Sequence, residues 1–199
     1  MKRPRRRAYR RTALLLVEGE TEEEFFQHLA NIFFRPASKQ IKNLKGNFNL
    51  DSKVADAVTT FAQNHPTELF DVYVCVDKEK PTARPFSTVK VEPILRRLPN
   101  FGIVVPIVAI LMIESLFFVD IDGIYRFLRT STSRRTPHKF SNFRCLRHQD
   151  LSQLFRAASK VYAKGMRCKG LIQALDIRKI VKRAPELQRL ISNVTKRSI

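Results

Sequence analysis

The stretch Thr12-Ala13-Leu14-Leu15-Leu16-Val17-Glu18-Gly19-Glu20-Thr21-Glu22-Glu23-Glu24-Phe25-Phe26 decides the reading of this chain. Its first six residues are uncharged and mostly aliphatic, the pattern of a strand buried on both faces. Five carboxylates then fall within seven residues, Glu18 to Glu24. Beyond them Phe25, Leu29, Ile32 and Phe33 recur at helical spacing, so residues 21–34 read as a helix that Pro36 stops. Thr21 is the expected N-cap, with Glu24 three residues on completing a capping box. Acids are favoured at a helix N-terminus by the dipole, which accounts for Glu20, Glu23 and Glu24. Glu18 precedes the helix and is not explained this way; Glu22 fits either account.

Outward from this stretch, strands and helices alternate. Residues 38–44 read as a short strand, 53–63 as a helix, and 70–76 (Phe-Asp-Val-Tyr-Val-Cys-Val) as a strand that runs into Asp77-Lys78-Glu79-Lys80-Pro81. Residues 87–98 read as a helix and 103–110 as a buried strand rich in Val and Ile. The alternation predicts a βαβ series with right-handed crossovers. The fold class is therefore α/β: a Rossmann-like parallel sheet flanked by helices. Further on, residues 115–128 read as a helix broken at Gly123, with Asp120 and Asp122 as surface or capping groups. A C-terminal helical extension follows at 151–164, 171–183 and 185–194.

With 37 Lys and Arg against 18 Asp and Glu, the chain carries +19 and a pI of about 10.5. That charge favours a polyanionic partner, because cations that neutralise phosphates release counterions. Two segments concentrate it. Residues 1–11 hold Lys2, Arg3, Arg5, Arg6, Arg7, Arg10 and Arg11 and no acid, an arm expected to be disordered or extended. Residues 123–149 hold Arg126, Arg129, Arg134, Arg135, Lys139, Arg144 and Arg147, again without an acid, and read as a loop. Both segments are phosphate contacts or, alternatively, a solubilising tail and a flexible surface insertion. The chain then divides into the arm (1–11) and one domain with a core (12–122), the basic loop (123–149) and C-terminal helices (150–199). Cys75, Cys145 and Cys168 have no metal-ligand spacing and are too few for a disulfide framework, which points to a reducing, cytoplasmic setting. No secretory leader is visible, and no run reaches the roughly 20 apolar residues of a membrane span.

Three strand-like runs end in acids: Glu18, Asp77 (with Glu79 two residues on) and Glu114. In a parallel sheet these converge at the carboxyl edge, where ligands bind. An all-oxygen cluster suits Mg²⁺ or Mn²⁺, and such ions serve phosphodiester hydrolysis. Gly19 is expected to let the backbone turn sharply beside the ion. The ordinary alternatives are surface pairing of Asp77 and Glu79 with Lys78 and Lys80, and an N-cap or arginine pairing for Glu114.

Val17-Glu18-Gly19-Glu20-Thr21-Glu22 with Phe25 resembles the first motif of Toprim domains, closest to small Toprim-like bacterial defence proteins and OLD-type nucleases. Glu18 matches the glutamate after the first strand and Asp77 the first residue of the Asp-x-Asp pair; Glu79 stands where the family usually has the second aspartate. Ile113-Glu114-Ser115-Leu116-Phe117-Phe118, and Ser159-Lys160-Val161-Tyr162-Ala163-Lys164 with Leu171, Asp176 and Pro185-Glu186-Leu187, resemble segments of an uncharacterised Toprim-like bacterial family. The resemblance runs from residue 12 to residue 191, interrupted by the basic loop. It implies a metal-dependent nuclease acting on DNA or tRNA in anti-phage defence. Glu18, Asp77 and Glu79 would be catalytic, and Glu18, Glu22, Asp77, Glu79 and Glu114 would hold metal. Lys164, or else Lys160, would support the phosphate chemistry. The basic arm and loop would hold the nucleic-acid backbone. It also implies homo-oligomers and an ABC/AAA-type ATPase partner encoded nearby, since the chain has no Walker A loop. Two other functions stay open: a catalytically degenerate nucleic-acid-binding or scaffold subunit, and strand transfer, which needs a tyrosine nucleophile (Tyr9, Tyr73, Tyr125 or Tyr162) presented by a separate domain.

Overall fold

The computed structural model describes residues 11–35, 37–46, 48–77, 91–109 and 112–197. Glu79 and the arm residues Arg5, Arg6, Arg7 and Arg10 lie outside the described residues. Four strands, β1 (Thr12–Val17), β2 (Ser38–Asn43), β3 (Phe70–Asp77) and β4 (Phe101–Ala109), form one parallel sheet in the order β2-β1-β3-β4. The chain moves outward from β1 to β2, crosses back to β3, and continues outward to β4. Connections therefore leave β1 and β3 in opposite directions, and the switch point of this α/β sheet lies between those two strands.

The helices α1 (Glu20–Phe33) and α2 (Leu50–Asn64) cover opposite faces, as right-handed crossovers of opposite travel require. Alternation along β1 divides the core. Ala13, Leu15 and Val17 join Phe25, Phe26 and Leu29 of α1, whereas Leu14 and Leu16 join Val54, Val58 and Phe61 of α2. All six β1 side chains are buried. Beyond α3 (Glu92–Leu95) and β4 come α4 (Ile113–Phe117), α5 (Ile121–Leu128), α6 (His148–Ala157), α7 (Lys169–Ala174), α8 (Ile177–Arg183) and α9 (Pro185–Arg197). Apolar residues of α4 to α9 share the α1 core.

Several sequence expectations are corrected. The helix expected over 87–98 runs Glu92–Leu95 within the described part; the chain then turns, with the Leu98 N–H meeting the Leu95 carbonyl, and Pro99 follows. Residues 101–106 of β4 are half-buried rather than buried, because β4 is an edge strand, the place where Pro106 is tolerated. The break after Glu114 falls at the 3₁₀ turn Phe118–Asp120, not at Gly123. The helix expected over 151–164 stops at Ala157. There Ser159 takes φ 56° while the N–H of Lys160 bonds to the Phe155 carbonyl and that of Ser159 to the Arg156 carbonyl, a Schellman ending. The helix expected over 171–183 is two, because the Asp176 carboxylate accepts from the Lys179 N–H (3.0 Å) and caps α8 afresh.

Two buried aspartates tie distant segments together, Asp71 on the sheet and Asp120 among the C-terminal helices. Asp71, near the amino end of β3, receives Arg11 at 2.7 Å, Arg197 of α9 at 2.7 Å and the Ile103 N–H at 3.0 Å. Arg11, expected among the phosphate contacts, is thus engaged at the sheet end opposite the acids. Asp120 is buried rather than a surface group. Burial alone would raise its pKa, but the Asp176 N–H, Lys179 and Arg126 outweigh burial and hold it below the ordinary value.

Candidate functional site

Glu18 follows the last residue of β1, and Asp77 ends β3. Val17 pairs in register with Cys75, so the two acids emerge side by side at the switch point. Tyr73, Cys75 and Asp77 alternate onto the α1 side, where Glu22 lies in the first turn of the helix. Glu114, on the short helix after β4, is 2% exposed. These residues line an open cleft of ≈ 1280 Å³, together with Glu20, Glu23, Glu24, Lys45, His148 and Lys164 among others.

The electrostatics of the four inner carboxylates are coupled. Burial, then repulsion from Glu22, Glu114 and Glu18, pushes Asp77 up to about 9, against a smaller opposing contribution from the Ile113 N–H. Burial likewise raises Glu22, with Glu114 adding to the rise and Lys164 opposing it. Left to itself, the cluster relieves its repulsion by keeping a proton on Asp77. Four carboxylate donors match a hard divalent cation, which would displace that proton. Among the described residues, no three acid, histidine or cysteine side chains already stand as a ligand cage.

The cleft wall that carries Lys164 and Gly165 packs against α1. Lys164 stands 3.6 Å from Glu114, and the Tyr162 hydroxyl donates to the same Glu114 oxygen at 3.3 Å. Burial first, and then Glu114, keep the Tyr162 proton on well above the usual phenol range. Tyr162 and Lys164 lie on irregular backbone rather than on the expected helix. The Gly165 N–H bonds to Thr21 Oγ1 at 2.9 Å and pins this wall to α1. Gly165 sits at φ 76°, and a Cβ there would strike the Glu20 carboxylate. Thr21 is therefore spent on this contact and is not an N-cap. The cap is Gly19, without a side-chain bond, and Glu24 pairs with Lys169 at 3.4 Å instead of closing a capping box. Gly19 is extended (φ −145°), so no sharp turn requires glycine; a Cβ would stand 2.9 Å from Glu22 Oε2, and the glycine makes room for that carboxylate.

His148 is the cleft residue that sequence reading missed. It opens α6, its N–H meets Met112 Sδ at 3.2 Å, and its buried Nδ1 has no hydrogen-bond partner. A lone histidine at the end of a basic loop gives no sequence signal. The loop itself is not a featureless insertion. It forms 3₁₀ turns at Thr132–Arg134, Pro137–Phe140 and Phe143–Cys145, the last packed on α4. Phe140 stacks on Phe118 at 5.4 Å. The Arg135 guanidinium is bound to the Thr130 carbonyl, and Arg144 lies over the Phe143 ring. Arg129 holds the left-handed C-cap of α5, and Arg147 is the N-cap of α6. Lys139 and Arg134 lie in the 3₁₀ turns, and both are exposed.

Residues 17–195 match the model of a domain of unknown function (DUF4276), and the chain belongs to that family. No curated protein and no solved structure matches it. No helix among the described residues is long and apolar enough to cross a membrane.

Proposed function

We propose that the chain is a Mg²⁺- or Mn²⁺-dependent nuclease that hydrolyses or nicks phosphodiester bonds, with its centre at the carboxyl edge of β1 and β3. One observation carries the reading. Among the described residues, seven acids line the cleft (Glu18, Glu20, Glu22, Glu23, Glu24, Asp77 and Glu114) against two lysines, Lys45 and Lys164, in a chain of net +19. The protein attracts polyanions, yet this cleft repels them until a cation reverses its sign. Glu18, Glu22, Asp77 and Glu114 are the residues that would hold the ion, with Glu79 beyond the described part. When bound, the ion would supply Lewis acidity at a phosphate oxygen.

The chain's own groups divide the remaining work. Lys164, tied loosely to Glu114, is free to turn toward a phosphate oxygen while the Tyr162 hydroxyl keeps Glu114 oriented. His148 lines the same cleft, and its imidazole would bond a second phosphate oxygen. Arg134, Lys139 and the arm arginines hold the backbone without reading sequence, so DNA and tRNA are both candidate substrates. An ATPase partner, homo-oligomers and a part in anti-phage defence rest on the resemblance to Toprim-like proteins and not on the geometry.

A second reading, a catalytically degenerate binding or scaffold subunit, is favoured by the Lys164–Glu114 contact, which partly neutralises the cluster without metal. Cleavage of plasmid and tRNA in Mg²⁺ or Mn²⁺ separates the two. Cleavage lost in Glu18→Ala and Asp77→Ala, with binding kept, supports the nuclease. Salt-sensitive binding without cleavage in any metal supports the scaffold and overturns the nuclease.

A further inference from the structure

We infer that a second pocket, behind the wall that carries Tyr162 and Lys164, receives one unstacked nucleobase of a single-stranded substrate. This rests on the reading of the cleft as a phosphodiester site. The pocket encloses ≈ 320 Å³ and is walled by Phe127, Phe155, Tyr162 and Leu171, with Val161 and Arg167 at its mouth. Its aromatic rings lie at open angles: Phe155 meets Tyr162 edge-on at 5.3 Å and Phe127 at a 42° tilt, so the cluster is not closed by face-to-face stacking. Lys160 Nζ sits 5.5 Å from the Phe127 ring centroid, and Arg167 is exposed. A planar, π-rich group flanked by phosphates suits aromatic walls with cations at the rim, and every base offers such a face. Val161, 87% exposed beside this opening, has apolar surface for a base to cover.

The pocket and the cleft share one side chain. The ring of Tyr162 lines the pocket, while its hydroxyl bonds Glu114 in the cleft. Val161 and Ala163 face the pocket side, and Lys164, the next residue, lines the cleft. Neighbouring Cα atoms are about 3.8 Å apart. A phosphate at Lys164 and the base attached to it could therefore occupy the two sites together. The base would then fix which phosphate reaches the acids.

The test uses the full chain in Ca²⁺, a hard divalent ion that would offset the cleft's acids, and single-stranded oligonucleotides carrying one 2-aminopurine or one abasic site. The expected result is quenching of 2-aminopurine on binding, and a 5- to 150-fold loss of affinity for the abasic strand, roughly the worth of one stacked base. Val161→Asp, at an exposed position that leaves folding intact, and Phe127→Leu should abolish both signals. An abasic penalty equal in wild type and Val161→Asp overturns the inference and leaves the nuclease reading standing. Absence of any nucleic-acid binding overturns both. Base capture without cleavage in any metal keeps the pocket and sinks the nuclease. Parallel ribose and deoxyribose strands tell which backbone delivers the base.

Discussion

Asp77→Asn tests the charge deficit of the cleft without requiring a substrate. Asp77 is raised from 3.8 to about 9, first by burial and then by Glu22, Glu114 and Glu18. A raised carboxyl binds a proton in the folded state that the unfolded chain releases near pH 4. Its contribution to stability is therefore complete below pH 4 and is lost as pH rises through about 9. At about 1.4 kcal/mol per unit the whole shift corresponds to ~7 kcal/mol, half or more of the stability of a typical domain. Solvent in the open cleft and small movements of the carboxylates reduce this to ~2 kcal/mol. Asparagine keeps the shape and never ionises. In chelator at pH 8.5, Asp77→Asn should melt above the wild type by about 4–8 °C, and the gap should narrow as pH falls and vanish only below pH 4. Saturating Mg²⁺ or Mn²⁺ should then raise the wild type alone, by about 2.7 kcal/mol at one hundred times Kd. Calorimetry from about pH 3.5 to pH 9, with and without metal, reads all three effects. If the variant is less stable at pH 8.5 in chelator, or if metal stabilises both proteins equally, the carboxylates do not form a coupled cation site.

His148→Ala should lower cleavage by 10- to 100-fold while stability stays level or rises by up to about 1 kcal/mol, since it removes a buried nitrogen with no partner; thermal melts beside initial rates check this. Asp71→Ala should cost about 3 kcal/mol in urea titrations, because Arg11 and Arg197 lose their shared carboxylate, yet leave metal binding unchanged at the far end of the sheet. Gly165→Ala should cost about 1–2 kcal/mol from its φ of 76°, and more from the Glu20 contact. It should also weaken cleavage by displacing Lys164, measured as a fall in kcat with nucleic-acid affinity retained.

The parallel sheet and its edge of acids were legible because each rests on short-range pattern. Leu14 to Val17 and Val72 to Val76 are too apolar to lie anywhere but the middle of the sheet, and the acids that end them follow from strand direction. What could not be read was long-range partnership. Thr21 looks like a cap in sequence, but Gly165, 144 residues away, takes its hydroxyl. Ser159 gives no sign in sequence that it ends a helix in left-handed backbone, so the expected helix overruns Tyr162 and Lys164, of which Lys164 lines the cleft.

Buried acids make the same point in energetic form. Asp71 and Asp120 are each 2% exposed, and so is Glu114. In sequence all three are acids among apolar neighbours. Asp71 meets two arginines; Asp120 meets Lys179 and Arg126, and its pKa falls. Their charge is matched inside the fold, so they serve as locks. Glu114 has one lysine at 3.6 Å and a phenol, and it shares its surroundings with Asp77 and Glu22, whose pKa values rise. Burying a charge is tolerable only when an opposite charge arrives. The locks have theirs from within the chain. Among the described residues the cleft sets only Lys45 and Lys164 against seven acids, although the chain carries 37 Lys and Arg. A shortfall confined to one sheet edge of so basic a protein is the reason to look for the missing positive charge in solution, as a divalent ion.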